Sequence, residues 1–319
     1  MSAPAIPAAR TGHPVSRARP VDRLGGLVEF WFRGHTALVY AFLYLPIFVV
    51  VLFAFNGTER RVTTWAGFSL KWFEVALNDT VVQKAVENSF WIALPNAFLA
   101  ALFGTMAALG LQRVRKGFRL GYDALTYVSV IVPEIVIALA TLIFFSSSLD
   151  IINPFLASLQ GDAARPFRLN FGRETVIAAH VLFNTSLVLL LVRARLSTMD
   201  RTLVEASYDL FATPWRTFRQ ITLPALLPAI VAGFLLAFTF SFDDYIITTF
   251  TSGPGSTTLP LFVFGQVKRG VTPETNAVAT MMLAFTLSML LVGQLVLRWQ
   301  SRRRGQKGSV AGIVAESAG

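Results

Sequence analysis

Three carboxylates fall where a carboxylate is costly. Glu134 follows Val132-Pro133 inside one long apolar run, and Asp243-Asp244 sit late in another, followed at once by Tyr245. An ionisable side chain in hydrocarbon costs about 2.5–3.5 kcal/mol on insertion scales and marks an ion or substrate path by default. No Lys or Arg lies within the apolar runs to pair with these acids. The chemistry open to them is capture of a cation, and a di- or polyamine passing through would supply the missing positive charge. Phe240, Phe242 and Tyr245 surround the Asp pair in the sequence, and an ammonium over an aromatic face gains roughly 0.5–2 kcal/mol. Adjacent helical residues point about 100° apart. Asp243 and Asp244 therefore cannot both face one path; one faces it while the other caps a helix end, meets water or touches a partner. The alternative is structural, with all three acids held by hydrogen bonds to neighbouring helices.

The elements that must position these residues are membrane helices. Apolar residues make up 54% of the chain and charged residues 14%, against about 25% charged in an ordinary soluble domain. Mean hydropathy is +0.58. Six apolar segments are long enough to cross a bilayer as helices of about 20 residues: 36–55, 89–111, 124–145, 175–192, 225–247 and 277–297. The runs are continuous rather than alternating, which excludes barrel strands. Glu134 is expected about ten residues into the third helix, near the midplane, with Pro133 kinking the helix beside it. His180 in the fourth segment reads as a satisfied helix contact, because no second His lies at metal spacing. Asn88, Asn96 and Asn184 read as interhelical donors. There are no cysteines, so disulfides and thiol chemistry are excluded.

The formal charge of +10 would suit nucleic acid, but in a membrane chain its distribution matters more. Nineteen of the 28 basic residues fall in the N-terminal tail, the segments after the second and fourth helices, and the C-terminal tail. The positive-inside bias then places both termini, and the segment around Glu205, in the cytoplasm. The first apolar segment has a basic flank like a signal peptide but is too long and lacks a cleavage site, so it reads as an uncleaved anchor. The expected domains are a mostly disordered tail over 1–34, a transmembrane domain over 35–298 and a second tail over 299–319.

The cytoplasmic segment 199–224 is too structured for a mere connector. Asp200 can cap a first helix in which Leu203, Ala206 and Leu210 share a face. Thr213 can cap a second, with Pro214 at its favoured first position and Trp215, Phe218 and Thr222 along one side. A plain interfacial amphipathic helix is the alternative. A DNA-reading helix-turn-helix conflicts with the membrane spans at both ends.

The spacing of this segment resembles the EAA loop of binding-protein-dependent ABC permeases: Glu-Ala-Ala, three residues, Gly, nine residues, then Ile-x-Leu-Pro. Glu205, Ala206, Ile221, Leu223 and Pro224 match at those intervals. Ser207 stands where the second Ala is usual, and Phe211 where the Gly is usual. The resemblance extends over roughly 35–298 and narrows toward the spermidine/putrescine class through Val132-Pro133-Glu134-Ile135-Val136, Ser241-Phe242-Asp243-Asp244-Tyr245, Ser252-Gly253-Pro254-Gly255-Ser256-Thr257-Thr258-Leu259-Pro260, Arg269-Gly270-Val271-Thr272-Pro273-Glu274 and Asn276-Ala277. It implies an all-α, six-span MetI-like fold in the bacterial inner membrane, surrounded by lipid. It implies a non-catalytic transport subunit whose loop residues 205–207, 221, 223 and 224 couple to an ATPase. Chain partners would be a second, similar permease, two copies of the cytoplasmic ATPase and an extracytoplasmic substrate-binding protein. ATP and Mg would sit on the ATPase, and no G-x-x-x-x-G-K-[ST] occurs in this chain. The helix expected over 259–269 would contact the binding protein, gate the path or simply connect. Glu134, Asp243, Asp244 and Tyr245 remain the path candidates for a small cationic substrate. The rival readings are a same-fold permease for iron, an amino-acid conjugate or a sugar acid, and a secondary transporter.

Overall fold

The computed structural model describes residues 21–58, 64–160 and 167–316. The chain divides into two units, up to Val50 and from Val51 onward. The first is most of α1 (Val21–Ala54), an apolar helix with Pro46 inside it and the stacked ring pair Tyr40–Tyr44 along it. The segment 21–34, expected in a tail, is thus helical; residues 1–20 lie outside the described residues.

In the second unit the order is α2 (Lys71–Asn78), α3 (Thr80–Gly110), α4 (Lys116–Ile131), α5 (Glu134–Gln160), α6 (Arg173–Ser197), α7 (Thr202–Asp209) and α8 (Pro214–Thr217). A π-helical turn at Phe218–Thr222 leads into α9 (Leu223–Asp243), followed by α10 (Ile246–Thr251), α11 (Leu259–Arg269) and α12 (Pro273–Glu316). The α12 bounds make 299–316 helical rather than tail. Among the described residues, six helical segments are long and apolar enough to cross a membrane: Val28–Ala54, Thr80–Gly110, Glu134–Gln160, Arg173–Ser197, Pro214–Asp243 and Pro273–Leu295. These helices outrun the expected spans, so Lys84, Arg173, Arg193 and Arg195 lie within α3 and α6, near their ends. Long basic side chains reach the interface from such positions.

The core is the packing of α3, α6 and α9 on one another. Small residues permit it: Ala93, Ala97, Ala100 and Ala237 are buried. A Cβ on Gly104 would lie 2.8 Å from Val188 Cβ and 2.9 Å from the Leu189 amide nitrogen, so α3 and α6 meet almost backbone to backbone. In lipid, where apolar surface gains nothing by leaving the solvent, close packing and interhelical hydrogen bonds do the holding. The three asparagines supply such bonds. Asn96 donates to Ala237 O at 3.0 Å, Asn184 to Asn96 Oδ1 at 3.2 Å, and Asn88 to Gly255 O and Thr257 O at 2.9 and 2.8 Å.

Two helix boundaries differ from expectation in ways that move the acids. The stretch 124–145, expected as one span, is broken between α4 and α5. Proline clashes with an α conformation in the preceding residue, and Val132 is accordingly extended, with ψ 133°. Glu134 therefore opens α5 instead of lying mid-helix. The fifth span ends at Asp243, four residues before the expected Ile247, because Asp244 is extended (ψ 130°) and starts α10 after it.

Candidate functional site

The loop after α6 is built by local hydrogen bonds. Asp200 Oδ1 accepts from the Thr202 amide at 2.9 Å and its hydroxyl at 2.8 Å, and these donors hold its carboxyl below the usual range. Thr213 Oγ1 accepts from the Arg216 amide, capping α8 with Pro214 at its first position. Ser207 Oγ donates to Val204 O at 2.7 Å, so Thr217 is the donor in the 2.8 Å bond between the Ser207 and Thr217 hydroxyls. Both side chains are buried, and this pair joins α7 to α8.

On the side expected to carry Trp215, Phe218 and Thr222, Trp215 is 69% exposed and Phe218 and Thr222 are half-buried. Likewise Val204 and Ser207 face inward, whereas Leu203, Ala206 and Leu210 share the outward face. Glu205 and Pro224 are exposed, and Ile221 and Leu223 half-buried. Phe211 carries φ 58°, the one positive φ on a non-glycine among the described residues, and its ring is 96% exposed. The position therefore keeps the left-handed turn that a Gly would favour, but with a bare aromatic ring upon it.

The acids meet at the other end of α9. Asp244 is 8% exposed and saturated. It accepts from the Thr248 amide and hydroxyl, both at 2.7 Å, from the Ile247 amide at 3.3 Å, and from His180 Nε2 at 3.0 Å. His180, buried in α6, has Nδ1 2.7 Å from Ser241 Oγ. A ring with its proton on Nε2 satisfies both contacts. The Glu134 carboxyl lies beside that of Asp244, so the break before α5 brings two acids and a histidine together from α5, α6 and the α9–α10 junction. Asp243 is exposed and, among the described residues, receives only the Thr286 hydroxyl of α12, at 3.1 Å. Tyr245 packs against Phe264 of α11 with ring centroids 4.1 Å apart and the rings tilted by 36°. The aromatic cage expected around the Asp pair does not form as a unit, because Phe242 is buried against Phe90, Phe238 and Phe285.

Sequence reasoning missed two pairings. One is His180 with Asp244, for which a lone histidine in a span facing an acid was the available signal. The other is the fork from Arg193 of α6 onto Asp123 of α4, whose second arm is 2.8 Å long. It holds the Asp123 carboxyl below its usual range.

Residues 100–306 match the family described as the binding-protein-dependent transport system inner membrane component. The chain is 38% identical over 278 residues to the putrescine transport system permease protein PotI of Escherichia coli K12, covering 86% of this chain and 92% of that one. It is 35% identical over 262 residues to the spermidine/putrescine transport system permease protein PotC of Haemophilus influenzae, covering 82% and 94%. In fold it is similar to a chain of a bacterial ABC transporter involved in the import of the acidic polysaccharide alginate, at TM-score 0.68 and 17% identity, covering 88% and 97%. With this family match, these relatives and six membrane-length helices in hand, the chain belongs to the binding-protein-dependent transport system inner membrane components and is a multi-pass permease of the MetI-like fold.

Proposed function

We propose that this chain forms half of the translocation path of an ATP-driven importer for polyamines such as putrescine or spermidine, without catalytic chemistry of its own. The observation that carries the substrate class is the 38% identity, over most of both chains, to a relative named for putrescine. The acids support it. Asp243 is exposed with a single hydroxyl donor, and Glu134, beside Asp244, has no ion-pair partner among the described residues. Asp244, saturated by Thr248 and His180, is the wall that holds Glu134 in place, and Tyr245 lines the approach.

Both termini and α7 face the cytoplasm in this reading. Glu205, Ala206 and Ser207, with Ile221, Leu223 and Pro224, form the coupling element. The outward face of Leu203, Ala206, Leu210 and Phe211 is what a cytoplasmic ATPase would cover. A second permease, two ATPase copies and a substrate-binding protein complete the transporter. The test is ATP hydrolysis by the reconstituted complex across a panel of putrescine, spermidine, iron, amino-acid conjugates and sugar acids. Stimulation confined to the amines is the expected result. Stimulation by an anionic solute alone would overturn the substrate class while leaving the coupling reading intact.

A further inference from the structure

Beneath the start of α7 lies a crevice of about 140 Å³ lined by Arg119 of α4, Arg193 of α6 and Arg201, with Gln112 and Ser197 beside them. Its floor includes the buried Leu111 and Leu196. Arg193 is neutralised by its fork on Asp123. Among the described residues no ion pair engages Arg119 or Arg201. Three guanidiniums and one carboxylate leave two positive charges around a space roomy enough for several waters. A tetrahedral oxyanion is small enough to enter it. Guanidinium forks match phosphate oxygens in both spacing and charge.

The crevice opens at the end of spanning helices, where Phe118 and Leu120 are exposed on either side of Arg119 in the sequence. A ligand with a phosphate and an apolar tail satisfies both features, and basic pockets between membrane helices are known headgroup sites. We infer that this crevice binds the phosphate of an anionic lipid, which bridges α4, α6 and the residue that starts α7. The site goes beyond the polyamine reading and needs no part of it. Its consequence is that headgroup composition sets how firmly the coupling helix is tied to α4, the helix that precedes the Val132-Pro133 break.

The test is native mass spectrometry of the full chain released from mixed phosphatidylglycerol and phosphatidylcholine, with Arg119→Gln, Arg201→Gln and, as a control in α11, Lys268→Gln. Wild type and control should retain phosphatidylglycerol preferentially. Each arginine variant should lose about five-fold in that preference, as expected for one basic group near a headgroup. Arg201 makes no ion pair among the described residues, Arg119 acts on the Asp123 carboxylate only at longer range than Arg193, and thermal unfolding of each variant checks that it is folded. Should an arginine variant prove unfolded, competition for wild-type lipid retention by inorganic phosphate replaces it. Displacement by millimolar phosphate supports an oxyanion site, and its absence at tens of millimolar overturns it. Saturation of the folded chain by free phosphate, with no preference between lipids, would reassign the site from lipid to soluble phosphate and overturn the lipid bridge. Equal lipid retention in all variants overturns the proposal. So does unchanged retention with loss of ATPase co-purification, which would give the arginines to a protein partner.

Discussion

Phe211 occupies a backbone conformation that costs an L-residue about 1–2 kcal/mol. Its ring is 96% exposed, so no packing within the chain offsets that cost. Strain of this kind persists where something outside the local structure needs it. If the ring inserts into the ATPase, its burial contributes about 1.5–3 kcal/mol, which is about 10- to 150-fold in affinity. Two substitutions separate the ring from the turn. Phe211→Gly removes both ring and strain; after about 0.5–1 kcal/mol for the added freedom of glycine, stability of the permease should be unchanged or rise by up to about 1.5 kcal/mol. Phe211→Ala removes the ring and keeps the strain, so its stability should stay at wild type. Both should weaken ATPase binding by the same factor. The assay is titration of the purified permease pair with ATPase, beside thermal unfolding of the pair alone. Unchanged ATPase affinity in both variants would refute the anchoring role. A destabilised glycine variant would refute the strain argument.

Ser207→Ala leaves the buried Thr217 hydroxyl without its partner and should cost about 1–3 kcal/mol; adding Thr217→Val should restore most of it, measured as a double-mutant cycle on unfolding. Gly104→Val should cut the yield of folded chain, since the added Cβ alone would stand 2.8 Å from Val188 Cβ, an overpacking cost of about 1–3 kcal/mol or more; normal yield and thermal stability would disprove close α3–α6 packing. A reporter active only outside the cytoplasm, fused after Leu297, should be silent, and strong activity would reverse the orientation. Glu134→Gln and Asp243→Asn should lower amine uptake with chain yield intact. Asp244→Asn should lower yield first, because His180 and Thr248 lose a charged acceptor; wild-type uptake and yield in all three would leave these acids without a role.

The span count was legible because continuous apolar runs admit one structure in lipid, and the helical segment after α6 because its caps at Asp200 and Thr213 are local. The side on which the loop packs was not. Leu203, Ala206 and Leu210 form the apolar face that a soluble helix would turn inward, yet here they point outward. Periodicity finds a face without saying whether the chain itself or a partner covers it. The break before Glu134 was partly legible: a proline within an apolar run suggests a kink, but extension of Val132 before Pro133 decides between a kink and an end. The His180–Asp244 pair joins residues 64 apart, and only the tertiary packing of α6 against α9 and α10 creates it.

The three acids differ in what compensates them. Asp244 precedes α10 and accepts its first amides, and Glu134 is the first residue of α5. Both stand at helix N-termini, where the backbone dipole favours a negative charge by about 0.3–1 kcal/mol, and by more when partly buried. Asp243 is the last residue of α9, where the same dipole opposes it, and a lone threonine hydroxyl is its compensation. A cation arriving there gains from the carboxylate and the C-terminal end of the helix dipole together. Of the three, Asp243 has the most to gain from an ammonium, and the geometry that buries Asp244 leaves Asp243 exposed. This is why the two aspartates, adjacent in sequence, are expected to fail differently when neutralised: one by losing its structure, the other by losing its substrate.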